Sequence, residues 1–195
     1  MNGAIIMIIL ISGIGSTGKT LMAQKLLEKY HIPYLSIDHL KMGIYRGRKN
    51  CRFTPLDSSK VIGDQLWPIV KGMIMTNIEN EQHIVIEGCY LLPDYMKDFD
   101  ADYSEKIIPV FFGFSENYIR GNFETAIVKY RNVIERRIWP EERTKNELIK
   151  EHKEFKAQCM QAGVRYFEIE NDYDKDILAI YEFIEYERER IHSLY

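Results

Sequence analysis

Cysteine is scarce and poorly placed for cross-linking. Cys51, Cys89 and Cys159 are odd in number and widely spaced, and no C-x-x-C pair occurs. This argues against a disulfide framework or a zinc site, and a reducing, cytoplasmic setting is expected. A basic excess is also missing. The chain of 195 residues has 26 Lys and Arg against 29 Asp and Glu, a net charge of −3, which argues against a general nucleic-acid-binding surface. The histidines are scattered without metal-ligand spacing, and His39 reads as a surface residue. No apolar run is long enough to cross a membrane. Ala4–Ile11 is the most apolar segment, and it falls well short of the roughly 20 residues that a spanning helix needs. No basic stretch precedes it and no cleavage-type site follows, so a soluble protein is expected. Repeats, low-complexity tracts and flexible linkers are absent as well.

What is present is alternation. Hydrophobic residues make up 46% of the chain, enough for a proper core. Apolar, β-rich runs at Ala4–Ser12, Ile32–Asp38, His83–Gly88, Lys106–Phe114 and Val164–Glu170 are separated by helical patterns. Helices are expected at 57–80, 115–130 and 144–162, with a charged one at the end of the chain. Trp67-Pro68 should kink or divide the first of these, and Pro109 blurs the start of the fourth strand. Strands separated by helices predict a parallel sheet in one α/β domain. Ligands then sit beyond the carboxyl ends of the strands.

The segment Gly13-Ile14-Gly15-Ser16-Thr17-Gly18-Lys19-Thr20 fits both a dinucleotide-binding turn and a nucleoside-triphosphate P-loop. Asp38 stands near the place of a ribose-binding acid and keeps the first reading alive. Lys19 and Thr20 decide for the second. A lysine in the first turn of a helix opposes the helix dipole unless an anion rests against it. A triphosphate removes that conflict: loop amides wrap the phosphates, Lys19 reaches the β and γ oxygens, and the Thr20 hydroxyl ligates Mg²⁺. Gly13, Gly15, Ser16, Thr17, Gly18, Lys19, Thr20 and Leu21 are therefore the expected nucleotide-binding residues.

Together with "SIDHL" and "VIEGCYLLP", this loop resembles the P-loop small-molecule kinases of the nucleoside monophosphate kinase-like group, nearest their adenylate-kinase-related and 2-phosphoglycerate-kinase-like members. The resemblance spans nearly the whole chain. It implies a three-layer α/β fold whose five parallel strands run second, third, first, fourth, fifth. It also implies a mobile acceptor-binding region at about 39–80, an arginine-bearing lid at about 129–145, and ATP and Mg²⁺ as cofactors.

The resemblance further implies roles for single residues. Asp38 would orient or deprotonate the acceptor; the plainer alternative is that it caps the helix starting at His39. Glu87 would hold Mg²⁺ or its water shell, receive the acceptor's hydroxyl, or anchor a ribose. In the lid, Arg131, Arg136, Arg137 and Arg143 would neutralise charge on the transferring group, with Arg136 and Arg137 the favoured catalytic pair, Arg131 on the nucleotide, and Trp139-Pro140 as a hinge. Asn171 would touch the base, unless it only forms a turn. Lys41, Arg46, Arg48, Lys49 and Arg52 form a basic cluster in the acceptor region, so the small-molecule acceptor is expected to carry phosphate or carboxylate; a solvated charged loop is the alternative. The helical Met and Tyr residues read as packing. A kinase is the expectation. An ATP-binding or ATP-hydrolysing module and a polynucleotide 5′-kinase are its rivals, and neither acceptor identity nor oligomeric state is legible.

Overall fold

Residues 7–134 and 143–193 are described by the structure, a computed structural model. Five short strands form one parallel sheet: β1 (Ile8–Ser12), β2 (Tyr34–Ser36), β3 (Ile84–Glu87), β4 (Ile107–Phe114) and β5 (Tyr166–Ile169). Their spatial order is β2-β3-β1-β4-β5, as the resemblance implied. Every residue of β1 is buried, which explains its uniformly apolar sequence, since a central parallel strand is covered on both faces.

Helices α1 (Lys19–Tyr30), α2 (Ile37–Gly47) and α3 (Ser59–Glu79) belong to the first half. The second half holds α4 (Ala101–Ser104), α5 (Glu116–Asn122), α6 (Lys145–Ala162), α7 (Tyr173–Asp176) and α8 (Leu178–His192). Side-chain alternation along the strands divides the core. Ile9, Ile11, Val85 and Val110 pack with α1, α5 and α8 on one face. Ile8, Leu10 and Ile86 pack with α2 and α3 on the other. These make three layers.

Two expectations need correction. The second strand stops at Ser36, and Ile37 and Asp38 already belong to α2. Ile37 is 1% exposed and packs into the α3-side core, an anchor that a longer edge strand would forfeit. Secondly, α3 is a single helix with Pro68 inside it. Buried Leu66, Trp67 and Val70 flank the proline, and the Trp67 indole N–H donates to Asp98 at 2.6 Å, so tertiary packing holds the helix through its missing hydrogen bond. The helix expected at 115–130 is present, running through 116–130 as α5 and a π-helical turn, Phe123–Val128, that continues it. Pro109 lies within β4, opposite Leu10 of β1. It is tolerated because β5 pairs with β4 only from Phe111 onward, so no ladder bond is missing on that side.

Candidate functional site

The loop from Gly13 to Gly18 joins β1 to α1 at the carboxyl edge of the sheet. Gly18 is in the left-handed region at φ 90°, where a side chain is strained. A Cβ there would also stand 2.1 Å from the Tyr173 hydroxyl, and one on Gly13 would stand 2.3 Å from the Phe112 carbonyl oxygen. The glycines are thus demanded by close packing as well as by backbone shape. Tyr173 donates to the Thr17 carbonyl at 3.2 Å and pins the loop from outside.

Lys19 opens α1 and is 8% exposed. Its ammonium donates to the Ile14 carbonyl at 2.8 Å and lies 3.5 Å from Thr17 Oγ1, curled into the loop. No acid occupies the first turn of α1, so the positive end of the helix dipole adds to the Lys19 charge. An anion is the natural counterpart.

Beside the loop opens a cleft of about 580 Å³. Ser16 to Leu21 form one wall, and Arg131 and Asn171 also line it. The Asp176 carboxylate orders the Asn171 loop by accepting the N–H groups of Glu170, Asn171 and Asp172 at 2.8, 2.9 and 3.3 Å, and these bonds hold its pKa down. The aromatic lining was not anticipated. Phe114, Tyr118, Tyr130 and Tyr173 line the cleft, and Tyr118 and Tyr173 also pack on the core, as expected of the helical tyrosines. Phe114 and Tyr118 stack at 4.8 Å between ring centroids. The π-helical turn supplies Ala126 and Ile127, in keeping with the frequent use of such turns at functional sites.

At the other end of the edge, Asp38 sits in the first turn of α2, whose N-cap is Ser36. The capping alternative is therefore corrected: the helix has already begun before Asp38. Its Oδ1 accepts from Lys41 Nζ at 2.7 Å and lies 3.5 Å from the Tyr90 hydroxyl. Lys41 also donates to Tyr90 at 2.6 Å. The Cys89 thiol has its pKa raised by burial and lies within the electrostatic reach of Lys19, Asp38 and Lys41. Tyr90 and Cys89 lie within the motif "VIEGCYLLP", but nothing in the sequence singles either out for a role, because their meaning comes from neighbours far along the chain.

Glu87 ends β3, 2% exposed, opposite Ile11 of β1 and Ser36 of β2. Its side chain shares the α1 side of the sheet with that of Val85, two residues back. Ser36 Oγ is buried and makes no hydrogen bond. A buried carboxylate paired in register with a residue whose hydroxyl is unsatisfied offers oxygen donors of the kind that suit a hard cation or its water shell. No cluster of three or more His, Cys, Asp or Glu able to hold a metal occurs among the described residues.

The lid expectation is only partly inside the described residues. Arg136, Arg137 and Trp139-Pro140 lie outside them. Arg143, one of the arginines expected in a lid, reaches the loop: a Cβ on Gly15 would be 3.4 Å from its Nη2. Glu151 of α6 holds Arg143 at 2.9 Å. Buried His152 follows, its Nδ1 accepting the Phe114 N–H at 3.0 Å. Burial, with help from Lys19 and Arg143, pushes its pKa down to about 3. Of the basic cluster, only Lys41 enters the site. Arg46, Arg48, Lys49 and Arg52 are exposed.

With this geometry described, comparison with known proteins is informative. Over 98% of its length the chain superposes on 98% of a gluconokinase from Sinorhizobium meliloti 1021, with TM-score 0.57 and 12% identity. It also superposes on a provisionally assigned kinase from Chloroflexus aurantiacus j-10-fl, with TM-score 0.53, 14% identity, and 92% and 98% of the two chains covered. The chain shares its fold with these two proteins. No protein-family model and no curated protein matches the chain. No helix among the described residues is long and apolar enough to cross a membrane.

Proposed function

We propose that the chain is an ATP-dependent kinase that moves the γ-phosphate to a hydroxyl on a small, anionic acceptor. It would work as one domain over 1–195, with the acceptor region at about 39–80 and the lid at about 129–145. The observation that carries this reading is the buried Lys19 ammonium at the start of α1, which lines a nucleoside-sized cleft at the carboxyl edge of the sheet. The kinase names of the structural neighbours agree with it.

In this reading the aromatic cleft takes the nucleoside, with Asn171 beside the base and Arg131 beside the phosphates. Loop amides and Lys19 hold the β- and γ-phosphates. Thr20 and Glu87 would hold Mg²⁺, which would neutralise charge shared by the β and γ oxygens. The acceptor oxygen bonds to Pγ while the bond from Pγ to the bridging oxygen breaks. ADP leaves with that electron pair, and Asp38 takes the hydroxyl proton. Arg143, held over Gly15, stabilises the transferring group, alone or with Arg136 and Arg137. Arg46, Arg48 and Arg52 make no ion pair among the described residues, which leaves them able to meet an incoming anion.

The test is a calorimetric titration of MgATP into wild type and Lys19→Ala, followed by an ADP-release screen over sugars, sugar acids, phosphoglycerates, nucleosides and nucleoside monophosphates. Binding by wild type alone and release stimulated by one acceptor class are expected. Equal binding by both proteins would sink the P-loop assignment. Binding without any stimulated release would favour an ATP-binding module.

A further inference from the structure

Lys41 and Tyr90 stand apart from the exposed arginines with which Lys41 shares its sequence cluster. Lys41 is 8% exposed although it carries a full charge, and so is Tyr90. A buried ammonium needs close partners to offset its lost hydration. Here they are Asp38 Oδ1 at 2.7 Å, the Tyr90 hydroxyl at 2.6 Å and the Tyr90 ring, whose centroid is 4.8 Å away. The Asp38 side chain is 42% exposed, whereas that of Lys41 is 10% exposed. The carboxylate therefore stands in front, toward solvent, and the ammonium and phenol stand behind it. Both rear groups face Oδ1, and Oδ2 has no hydrogen-bond partner among the described residues. Burial, then the nearby Cys89 and Asp38, raise the Tyr90 pKa, so the phenol stays protonated.

We propose that Lys41 and Tyr90 are positioning residues that clamp Asp38 from behind through Oδ1 and turn Oδ2 toward the acceptor hydroxyl. The inference rests on the kinase reading. In it, Lys41 is no anchor for the acceptor's anionic group, because its charge is already matched by Asp38. Recognition of that group falls to other residues. The i, i+3 spacing of Asp38 and Lys41 on α2 sets the clamp, and Tyr90, delivered by the loop after β3, locks it to the sheet. Loss of Lys41 would free the carboxylate to rotate and would slow proton removal without touching the nucleotide's binding residues.

The experiment compares full-length wild type, Lys41→Met, Lys41→Arg and Tyr90→Phe. The probe is MgATP, first with water in the acceptor's place and then with any acceptor that stimulates ADP release. Lys41→Met should lower turnover tenfold or more while MgATP affinity stays within about twofold, and the KM for ATP should follow the affinity. Lys41→Arg should recover part of the loss, and Tyr90→Phe should fall between Lys41→Met and wild type. Wild-type turnover in Lys41→Met overturns the clamp and leaves the kinase reading standing. If Lys41→Met does not bind MgATP and is misfolded, Tyr90→Phe decides, and its wild-type turnover overturns the clamp equally. If wild type binds no MgATP, the kinase reading fails and the clamp with it.

Discussion

Single residues in this chain often answer to two demands at once, and Gly18 is the sharpest case. Its φ of 90° alone would cost a side chain roughly 1–2 kcal/mol. The Tyr173 hydroxyl, 2.1 Å from any Cβ, adds a contact that something must relieve. Gly18→Ala is therefore expected to lower stability in urea melts and to abolish detectable MgATP binding. Adding Tyr173→Phe should recover only the part due to the clash, leaving the backbone strain. The P-loop was legible because its chemistry is local: eight consecutive residues carry the glycines, the cation and the hydroxyl. Tyr173, Tyr90 and His152 were illegible for the opposite reason. Each is an ordinary residue in sequence, and only the fold brings it to Thr17, Lys41 or Phe114.

At the level of elements, α6 matters most to the site after α1. Thr144 caps it in a reciprocal arrangement with Glu147, whose carboxylate accepts the Thr144 N–H at 2.7 Å while Thr144 Oγ1 accepts the Glu147 N–H at 3.3 Å. This cap directly follows Arg143, so it fixes where the chain leaves the lid region. Thr144→Ala should cost about 1 kcal/mol of stability, measured by urea unfolding. It should also loosen Arg143, and a fall in turnover larger than the fall in stability predicts would show it. Helix α6 itself was readable, because a capping residue precedes a periodic apolar pattern. The ends of β2 and the continuity of α3 were not. In both places burial of particular side chains, Ile37 and Trp67, overrode the local signal of the strand or the proline.

For the whole molecule, the order of the strands and the three layers followed from alternation and resemblance together, because crossover rules leave few arrangements for such a pattern. Acid sensitivity did not follow from sequence. His152 is kept neutral in the folded state by burial and by the fields of Lys19 and Arg143. Its folded pKa of about 3 lies below the ordinary value, 6.5. The unfolded chain therefore takes up the proton first. Stability is fully present above pH about 6.5 and is lost as pH falls toward 3, by at most about 1.4 kcal/mol per pH unit for this one proton. His83, also depressed by burial, acts in the same direction. Urea melts at pH 7.5 and 5.5 should show the loss. His152→Asn, which retains an acceptor for the Phe114 N–H, should flatten most of the slope; an unchanged slope would rule out His152 as its source.

The indole of Trp67 has one last consequence. It is stacked on Tyr95 at 4.4 Å, set edge-on to Phe99 and bonded to Asp98. The chain has only one other tryptophan, Trp139, between the two basic stretches of the proposed lid. Held by three partners, Trp67 supplies a steady optical background. Emission changes on adding nucleotide that vanish in Trp139→Phe would then report on Trp139, an unlabelled readout of events near its neighbouring arginines.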